Sequence, residues 1–280
     1  MSVELRPARP TDRAAMLEIT KDVWDGQDYL PRVFDAWVSD PGATFQAAEV
    51  EGEVAGFQRL RPVSREVIFY EGLRVGARFR RQGLARQMLA AAVHQARSLG
   101  FSLVRLSSSN PDAIALFTSA GFELELDTRF GFAKPIEGAD PPPLGRAADA
   151  ERLFRALAAD AGYAAYHGSF CDGAMLLPLD AAALARQCDL GHVRVGAGGR
   201  ALVIVRPWPN DSELWVGFIA GSGAALRDLL LALRSEADLT GRELVGVFFP
   251  TDHPAREDLE QSGYDFDADA GFLAHYVLRL

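Results

Sequence analysis

The stretch from Leu73 to Leu89, LRVGARFRRQGLARQML, constrains the fold more than any other. A strand-like apolar run, Val67 to Val75, ends in a turn loaded with arginine and glycine, and an apolar helix follows at once. Leu84, Met88, Leu89, Ala92, Val93 and Ala96 recur at helical spacing, which predicts a helix over 83–98. The order strand, tight turn, helix is that of an α/β layer. A helix N-terminus carries unpaired N–H groups and the positive end of the helix dipole. Arg74, Arg78, Arg80, Arg81 and Arg86 crowd this one segment although the chain's formal charge is −9. Gly83, without a Cβ, permits close backbone approach. The segment therefore reads as a seat for a diphosphate-bearing ligand. In isolation, the hexapeptide Arg80-Arg81-Gln82-Gly83-Leu84-Ala85 reads rather as a solvated basic helix start, and its setting carries the other reading.

The acidic balance argues against general binding to nucleic acid or to an anionic membrane. The opening residues hold no apolar stretch of signal-peptide length, and no run approaches membrane-spanning length. Cys171 and Cys188 form neither a disulfide framework nor a metal-ligand spacing, and the scattered histidines form no paired motif. The expectation is a cytoplasmic, reduced, metal-free protein acting on a small molecule. The oligomeric state stays open.

With 280 residues the chain is long enough for two domains. Residues 134–146, with Pro141-Pro142-Pro143 beside glycines, read as a linker and put the domain boundary near Asp140. The predicted domains are 1–138 and 139–280. In the first, strands are expected at 3–6, 44–50, 54–62, 67–75, 103–106, 122–126 and 129–133. Helices are expected at 11–24, with Thr11 as N-cap, and at 34–38, 83–98 and 112–120. The second half repeats the last part of this order, with strands at 193–195, 201–205, 214–219, 244–249 and 272–278 and helices at 224–235 and 255–262. Ser119-Ala120-Gly121-Phe122 matches Gln261-Ser262-Gly263-Tyr264, each closing a helix that follows a proline. An internal duplication of one α/β unit is the reading.

The R-x-x-G-x-A hexapeptide, its strand–turn–helix setting and the run Asn110-Pro111-Asp112-Ala113-Ile114-Ala115-Leu116-Phe117 together resemble the GNAT acetyltransferase superfamily, over residues 3–133. The resemblance implies a mixed, mostly antiparallel sheet flanked by helices, whose strands 67–75 and 103–109 splay apart around acetyl-CoA. It implies that Leu73 and Val75 pair with the pantetheine and acetyl oxygen. The amides of Arg80, Arg81, Gln82, Gly83, Leu84 and Ala85 would cradle the pyrophosphate. Arg74, Arg78 and Arg86 would join the cofactor site, as would Asn110 on the pantetheine arm and Phe117. Phe117 stands where many members carry a Tyr that protonates the leaving thiolate, so the general acid is open, with Tyr29 or a water as substitutes.

Glu71 is the candidate base. Strand parity sets it on one face with Phe69, Leu73 and Val75. A half-buried carboxylate holds its proton more tightly and suits proton acceptance, although a structural pairing with an arginine is as plausible. The segment from Val23 to Trp37 interleaves aromatics and acids, which suits an ammonium ligand; Phe34 and Trp37 read rather as core. Gly-x-Asp-Tyr-Leu-Pro and Tyr70-Glu71-Gly72-Leu73-Arg74-Val75 are similar to the histidine N-acetyltransferase branch, which implies a free amino acid as acceptor and Asp28, Tyr29 and Glu71 beside its amine.

Gly196-Ala-Gly-Gly-Arg-Ala201 lies between strands and reads as a hairpin turn. Gly221-Ser222-Gly223 takes the place of the arginine loop without its arginines, and Asp252 that of Asn110. The second half is expected to be a degenerate GNAT-like copy with no acetyl-CoA of its own. A nucleotide site there fits less well, because Leu226 stands at the third small position. The chain is thus expected to be an acetyl-CoA-dependent N-acetyltransferase of a small amine. The alternatives are a non-catalytic acyl-CoA-binding regulatory module and a protein N-acetyltransferase.

Overall fold

The computed structural model describes residues 3–207, 212–266 and 271–280. The chain forms two compact units, Met1–Glu123 with Tyr276–Leu280, and Leu124–His275.

The first unit runs β1 (Val3–Pro7), α1 (Arg13–Thr20), α2 (Leu30–Val38), β2 (Thr44–Val50), β3 (Glu53–Pro62), β4 (Val67–Val75), α3 (Leu84–Ser98), β5 (Leu103–Ser108) and α4 (Pro111–Ser119). Neighbouring strands β1 to β4 pair antiparallel, and β4 pairs parallel with β5. The hairpin between β2 and β3 turns on Glu51 and Gly52, both at positive φ, the backbone that matches strand twist. One sheet face packs Phe45, Ala47 and Phe57 against Met16, Ile19, Leu30 and Phe34 of α1 and α2. The other packs Ala48, Val50 and Ala55 against Leu84 and Met88 of α3. Helix α1 does not start at Thr11. Pro10 fixes a short 3₁₀ turn first, and Asp12 takes the Arg9 N–H at 2.7 Å. Helix α2 starts at Leu30 rather than Phe34, because Asp28 caps the Leu30 N–H at 3.0 Å.

The second unit runs β6 (Glu123–Ala133), α5 (Ala150–Leu157), α6 (Ala161–Ala165), β7 (Ser169–Asp172), β8 (Met175–Pro178), α7 (Ala181–Asp189), β9 (Val193–Gly196), β10 (Ala201–Pro207), β11 (Glu213–Ala220), α8 (Gly223–Leu239), β12 (Leu244–Pro250), α9 (Arg256–Gln261) and the start of β13 (Phe272–Arg279). Here β9, β10 and β11 pair antiparallel, β11 pairs parallel with β12, and β12 pairs antiparallel with β6. Leu226, Leu229, Leu230 and Leu233 of α8 cover one face. Leu153 and Leu157 of α5, with Leu184 of α7, cover the other.

Three expectations change. The strands expected at 122–126 and 129–133 are one strand, β6, whose residues 128–133 pair with β12. The break expected at 138/139 lies inside the second unit, and the C-terminal residues belong to the first. The proline-rich stretch is tied down there: Lys134 C=O accepts from Arg234 Nε at 2.7 Å, and Pro143 C=O accepts from Val195 N–H at 2.9 Å.

Candidate active site

Strands β4 and β5 pair at only three positions, Val67↔Leu103, Ile68↔Val104 and Phe69↔Arg105. Both strands then continue, so the β4 edge from Tyr70 to Val75 has no β5 partner. The expected splay is present. On its other edge β4 stays with β3 through a bulge: Arg59 faces Glu71 and Phe57 faces Arg74, two residues of β3 against three of β4. Gly72 supplies the extra residue at φ +69, where a Cβ would stand 2.7 Å from Trp37 Cζ3.

The bulge overturns the expected parity. Partners in a ladder share a face, so Glu71 and Arg74 lie on the α1/α2 face with Arg59. Leu73 and Val75 turn to the opposite face, where they pack with Leu84 and Met88.

The loop after β4 gathers backbone donors. Arg81 (φ 62) and Gly83 (φ 83) are both left-handed, and such residues in a tight turn curl successive N–H groups toward one concave side. The first internal bond at the head of α3 runs from Gln87 N–H to Gly83 C=O at 3.1 Å. The N–H groups of Leu84, Ala85 and Arg86 therefore head the helix without an intrahelical acceptor. Arg78, Arg80, Arg81, Gln82 and Arg86 are exposed around this turn. Arg80 Nε donates to Val75 C=O at 3.0 Å and Gln82 Nε2 to Arg78 C=O at 2.7 Å, while Arg78 is paired with Glu53.

Arg74 is not part of this cluster. Its Nε and Nη2 donate to Asp28 at 2.6 and 3.0 Å, and its Nη1 donates to Leu73 C=O at 3.0 Å. Its guanidinium lies 5.0 Å from the Trp24 ring centre and 5.3 Å from that of Tyr29. Burial works against its charge, but the Asp28 hydrogen bonds outweigh this and leave its pKa above the ordinary value. Asp28, with a side chain only 1% exposed, is held by Arg74 and the Leu30 N–H rather than standing open to an amine. Tyr29 is half-buried, and burial raises its phenol pKa.

Glu71 sits among arginines. Arg59 Nη1 donates to its Oε1 at 2.6 Å, and Arg61 donates from Nε to Oε1 at 2.9 Å and from Nη2 to Oε2 at 3.2 Å. Arg59 also pairs with Asp40 and lies 4.5 Å over the Trp37 ring. Sequence reasoning missed both arginines, although their period-two spacing on β3 places them on one face. Trp37 is half-buried and Phe34 fully buried, the latter as expected of core.

Phe117 is buried between Tyr70 and Phe122, at ring distances of 6.3 and 5.9 Å. Tyr70 lies on the face opposite Glu71, as parity implies. Its hydroxyl donates to Gln58 Oε1 at 3.1 Å, and burial pushes its pKa far up. Asn110 caps α4, its Oδ1 accepting from the N–H groups of Asp112 and Ala113 at 2.9 and 3.2 Å.

The second unit has an analogous splay with different contents. Strands β11 and β12 pair from Glu213↔Leu244 to Val216↔Val247 and then run on. Tyr166 donates its hydroxyl to Phe248 C=O of β12 at 2.7 Å, and His253 Nε2 donates to Ile219 C=O of β11 at 3.2 Å. The two rings are 5.4 Å apart. At the following turn, Asp160 accepts from Gly221 N–H at 3.1 Å and Asp258 from Gly223 N–H at 2.8 Å. The adjoining groove of about 420 Å³ is lined by Asp160, Asp228 and Arg200. Where the turn of the first unit is ringed by arginines, that of the second has Asp160 and Asp258 on its N–H groups.

Burial holds His253 neutral, with its pKa pushed down to about 4. The folded value lies below the unfolded one, so its contribution is complete above about pH 6.5 and is lost as pH falls toward 4. A shift from 6.5 to about 4 corresponds to about 3 kcal/mol. Chemical denaturation at pH 7 and pH 4 should show this loss in the wild type and a flatter profile in His253→Gln. Equal slopes in both would remove His253 as the cause.

A family profile described as "Acetyltransferase (GNAT) family" matches residues 13–122. The chain is 31% identical over 147 residues to the aminoglycoside N(6')-acetyltransferase type 1 of Klebsiella aerogenes, covering 47% of this chain and 96% of that one. A GCN5-related N-acetyltransferase from Sphaerobacter thermophilus superimposes with a TM-score of 0.61 at 14% identity, over 99% of this chain and 95% of that one. Another from Kribbella flavida does so with a TM-score of 0.54 at 16% identity, over 100% and 71%. The splayed parallel pair, followed by a glycine turn and a helix, is the frame of an acyl-CoA-dependent acyltransferase fold. The chain belongs to the GNAT acetyltransferase family, whose members use acetyl-CoA as acyl donor. Among the described residues no helix is long and apolar enough to cross a membrane, and no group of three metal-ligating side chains occurs.

Proposed function

We propose that the first unit transfers acetyl from acetyl-CoA to the amino group of a small molecule, a free amino acid, with Glu71 as base. The carrying observation is the position of Glu71, on the bulge of β4 where the pairing with β5 has ended. The acceptor amine nitrogen attacks the thioester carbonyl carbon, the C–S bond breaks, and CoA leaves as thiolate. The proton released by the ammonium passes to Glu71, directly or through a water, and the thiolate takes up a proton from solvent. A thiol with pKa near ~8.5 leaves without a dedicated acid, which fits Phe117 in place of a tyrosine.

The N–H groups of Arg80 to Ala85 and the side chains of Arg78, Arg81 and Arg86 hold the pyrophosphate in this reading, and the backbone of Leu73 and Val75, which has no β5 partner, meets the pantetheine. Asp160, Asp258, Tyr166 and His253 occupy the corresponding places of a duplicated second domain, so one acyl-CoA binds per chain. Calorimetric titration with CoA should give one site in the wild type. In Gly83→Val affinity should fall at least about 100-fold, because branched carbons displace several charge-assisted bonds. Two sites, or unaltered affinity in a folded Gly83→Val, would contradict the assignment.

Thiol release from acetyl-CoA, screened over amino acids, polyamines and peptide N-termini, tests the activity. The expected result is turnover with amino acids. Turnover only with peptides would favour a protein N-acetyltransferase. Binding of acetyl-CoA with no turnover would favour a regulatory module, the reading to which the missing tyrosine points.

A further inference from the structure

We propose that Arg61 is the carboxylate anchor of the acceptor, so that the site reads the zwitterionic head of an α-amino acid. This rests on the reading that the acceptor amine lies at Glu71, and it assigns the second half of the recognition. Strand β3 sets Arg59 and Arg61 two residues apart on the Glu71 face, yet their situations differ. Arg59 has a side chain only 5% exposed, with its two terminal nitrogens spent on Glu71 and Asp40 and its plane laid over Trp37. It is a fixed prop. Arg61 is 31% exposed. It meets Glu71 side-on through Nε and Nη2, and no described residue accepts from its Nη1. A guanidinium held along its Nε/Nη2 edge still offers the end-on fork between Nη1 and Nη2, and that fork matches a second carboxylate.

The spacing suits one class of ligand. In an α-amino acid the amine and the carboxylate are attached to the same carbon. A molecule with its nitrogen at one oxygen of Glu71 can reach a cation with its carboxylate only if that cation adjoins Glu71, as Arg61 does at 2.9 and 3.2 Å. The charge of this face points the same way. Arg59 and Arg61 are matched by Asp40 and Glu71, and Arg74 is matched by Asp28. Among these six side chains no acid is in excess to draw a ligand carrying several ammonium groups and no anion, whereas a zwitterion adds no net charge.

The test compares the best α-amino acid acceptor among the standard twenty with its decarboxylated amine and its amide, using wild type, Arg61→Gln and Arg61→Lys. The wild type should favour the amino acid over both in KM. Arg61→Gln should collapse that preference by about 10–100-fold, the range expected when a hydrogen bond to a charged group is lost, with Arg61→Lys intermediate. Because the ratio is read, any effect of Arg61 on Glu71 itself cancels. A ratio unchanged in Arg61→Gln, or a wild type that prefers the amine, overturns the proposal. If no amine is acetylated at all, the catalytic reading fails, and calorimetry of the same ligands on CoA-saturated protein decides this one separately. Amino-acid binding that Arg61→Gln weakens upholds the anchor, and no binding, or binding indifferent to Arg61, refutes it.

Discussion

Replacing Glu71 by glutamine should lower kcat by about 10²–10⁴-fold, the usual worth of a general base, while acetyl-CoA binds as in the wild type. Glutamine keeps the size of the side chain and one oxygen for Arg59 or Arg61, but it cannot accept the proton that the amine nitrogen sheds once it has bonded to the carbonyl carbon. The cofactor contacts assigned to the loop from Arg78 to Arg86 are separate from this face of β4, which is why binding and turnover should part. The loss should shrink when the assay pH rises and hydroxide or buffer base can take that proton in place of Glu71. A Glu71→Gln enzyme that turns over at the wild-type rate would leave the carboxylate as a brace between two arginines and nothing more.

The second large effect concerns stability. Asp28→Ala should destabilise the first unit by about 3–5 kcal/mol, the cost of stripping one partner from a buried ion pair. Arg74 would remain between Trp24 and Tyr29 with its Nε and Nη2 unpaired, and the cap on Leu30 N–H at the head of α2 would go with it. For a domain of this size the midpoint of thermal unfolding should fall by roughly 10 °C or more. Asp28→Asn, which keeps the cap and one acceptor, should lose less. Calorimetry of the three proteins checks the order. A change under 1 kcal/mol in Asp28→Ala would mean that the pair behaves as an exposed one.

How far the fold was legible follows from which forces are local. Strand β4 and helix α3 have the bounds that apolar runs and helical spacing imply, because both bury a continuous face against the core of the first unit. Helix α1 starts two residues beyond Thr11, since Pro10 and Asp12 impose a turn that hydrophobic periodicity does not register. Helices α5, α6 and α7 and the hairpin of β7 with β8 leave little trace in the sequence pattern, although Ala150, Leu153 and Leu157 stand at helical spacing and Asp180 caps the Ala183 N–H at 2.6 Å. Their apolar faces are short. The fate of β6 and of the C-terminal residues was illegible because strand partners are chosen across the chain, and a proline-rich stretch marks a turn without saying which sheet its neighbours join.

The site divides in the same way. The arginine loop and Glu71 could be picked out because a strand, a glycine turn and a helix are contiguous in sequence. The reversal of Leu73 and Val75 came from the bulge, and Gly72 inside a strand was its one local sign. The engagement of Asp28 with Arg74, 46 residues away, has no local sign. Neither has the filling of the second unit's splay by Tyr166 and His253, since each side chain meets a strand distant in sequence.

One measurement bears most directly on the claim that this chain is an acetyl-CoA-dependent N-acetyltransferase of amino acids. The wild-type protein is incubated with acetyl-CoA and an equimolar mixture of the standard amino acids, and the products are identified by mass spectrometry with fragmentation. The account predicts an amino acid heavier by one acetyl group, with the acetyl on its α-nitrogen, and no such product from Glu71→Gln. Acetyl groups found only on side-chain amines, or on none of the amino acids while acetyl-CoA is bound, would contradict it.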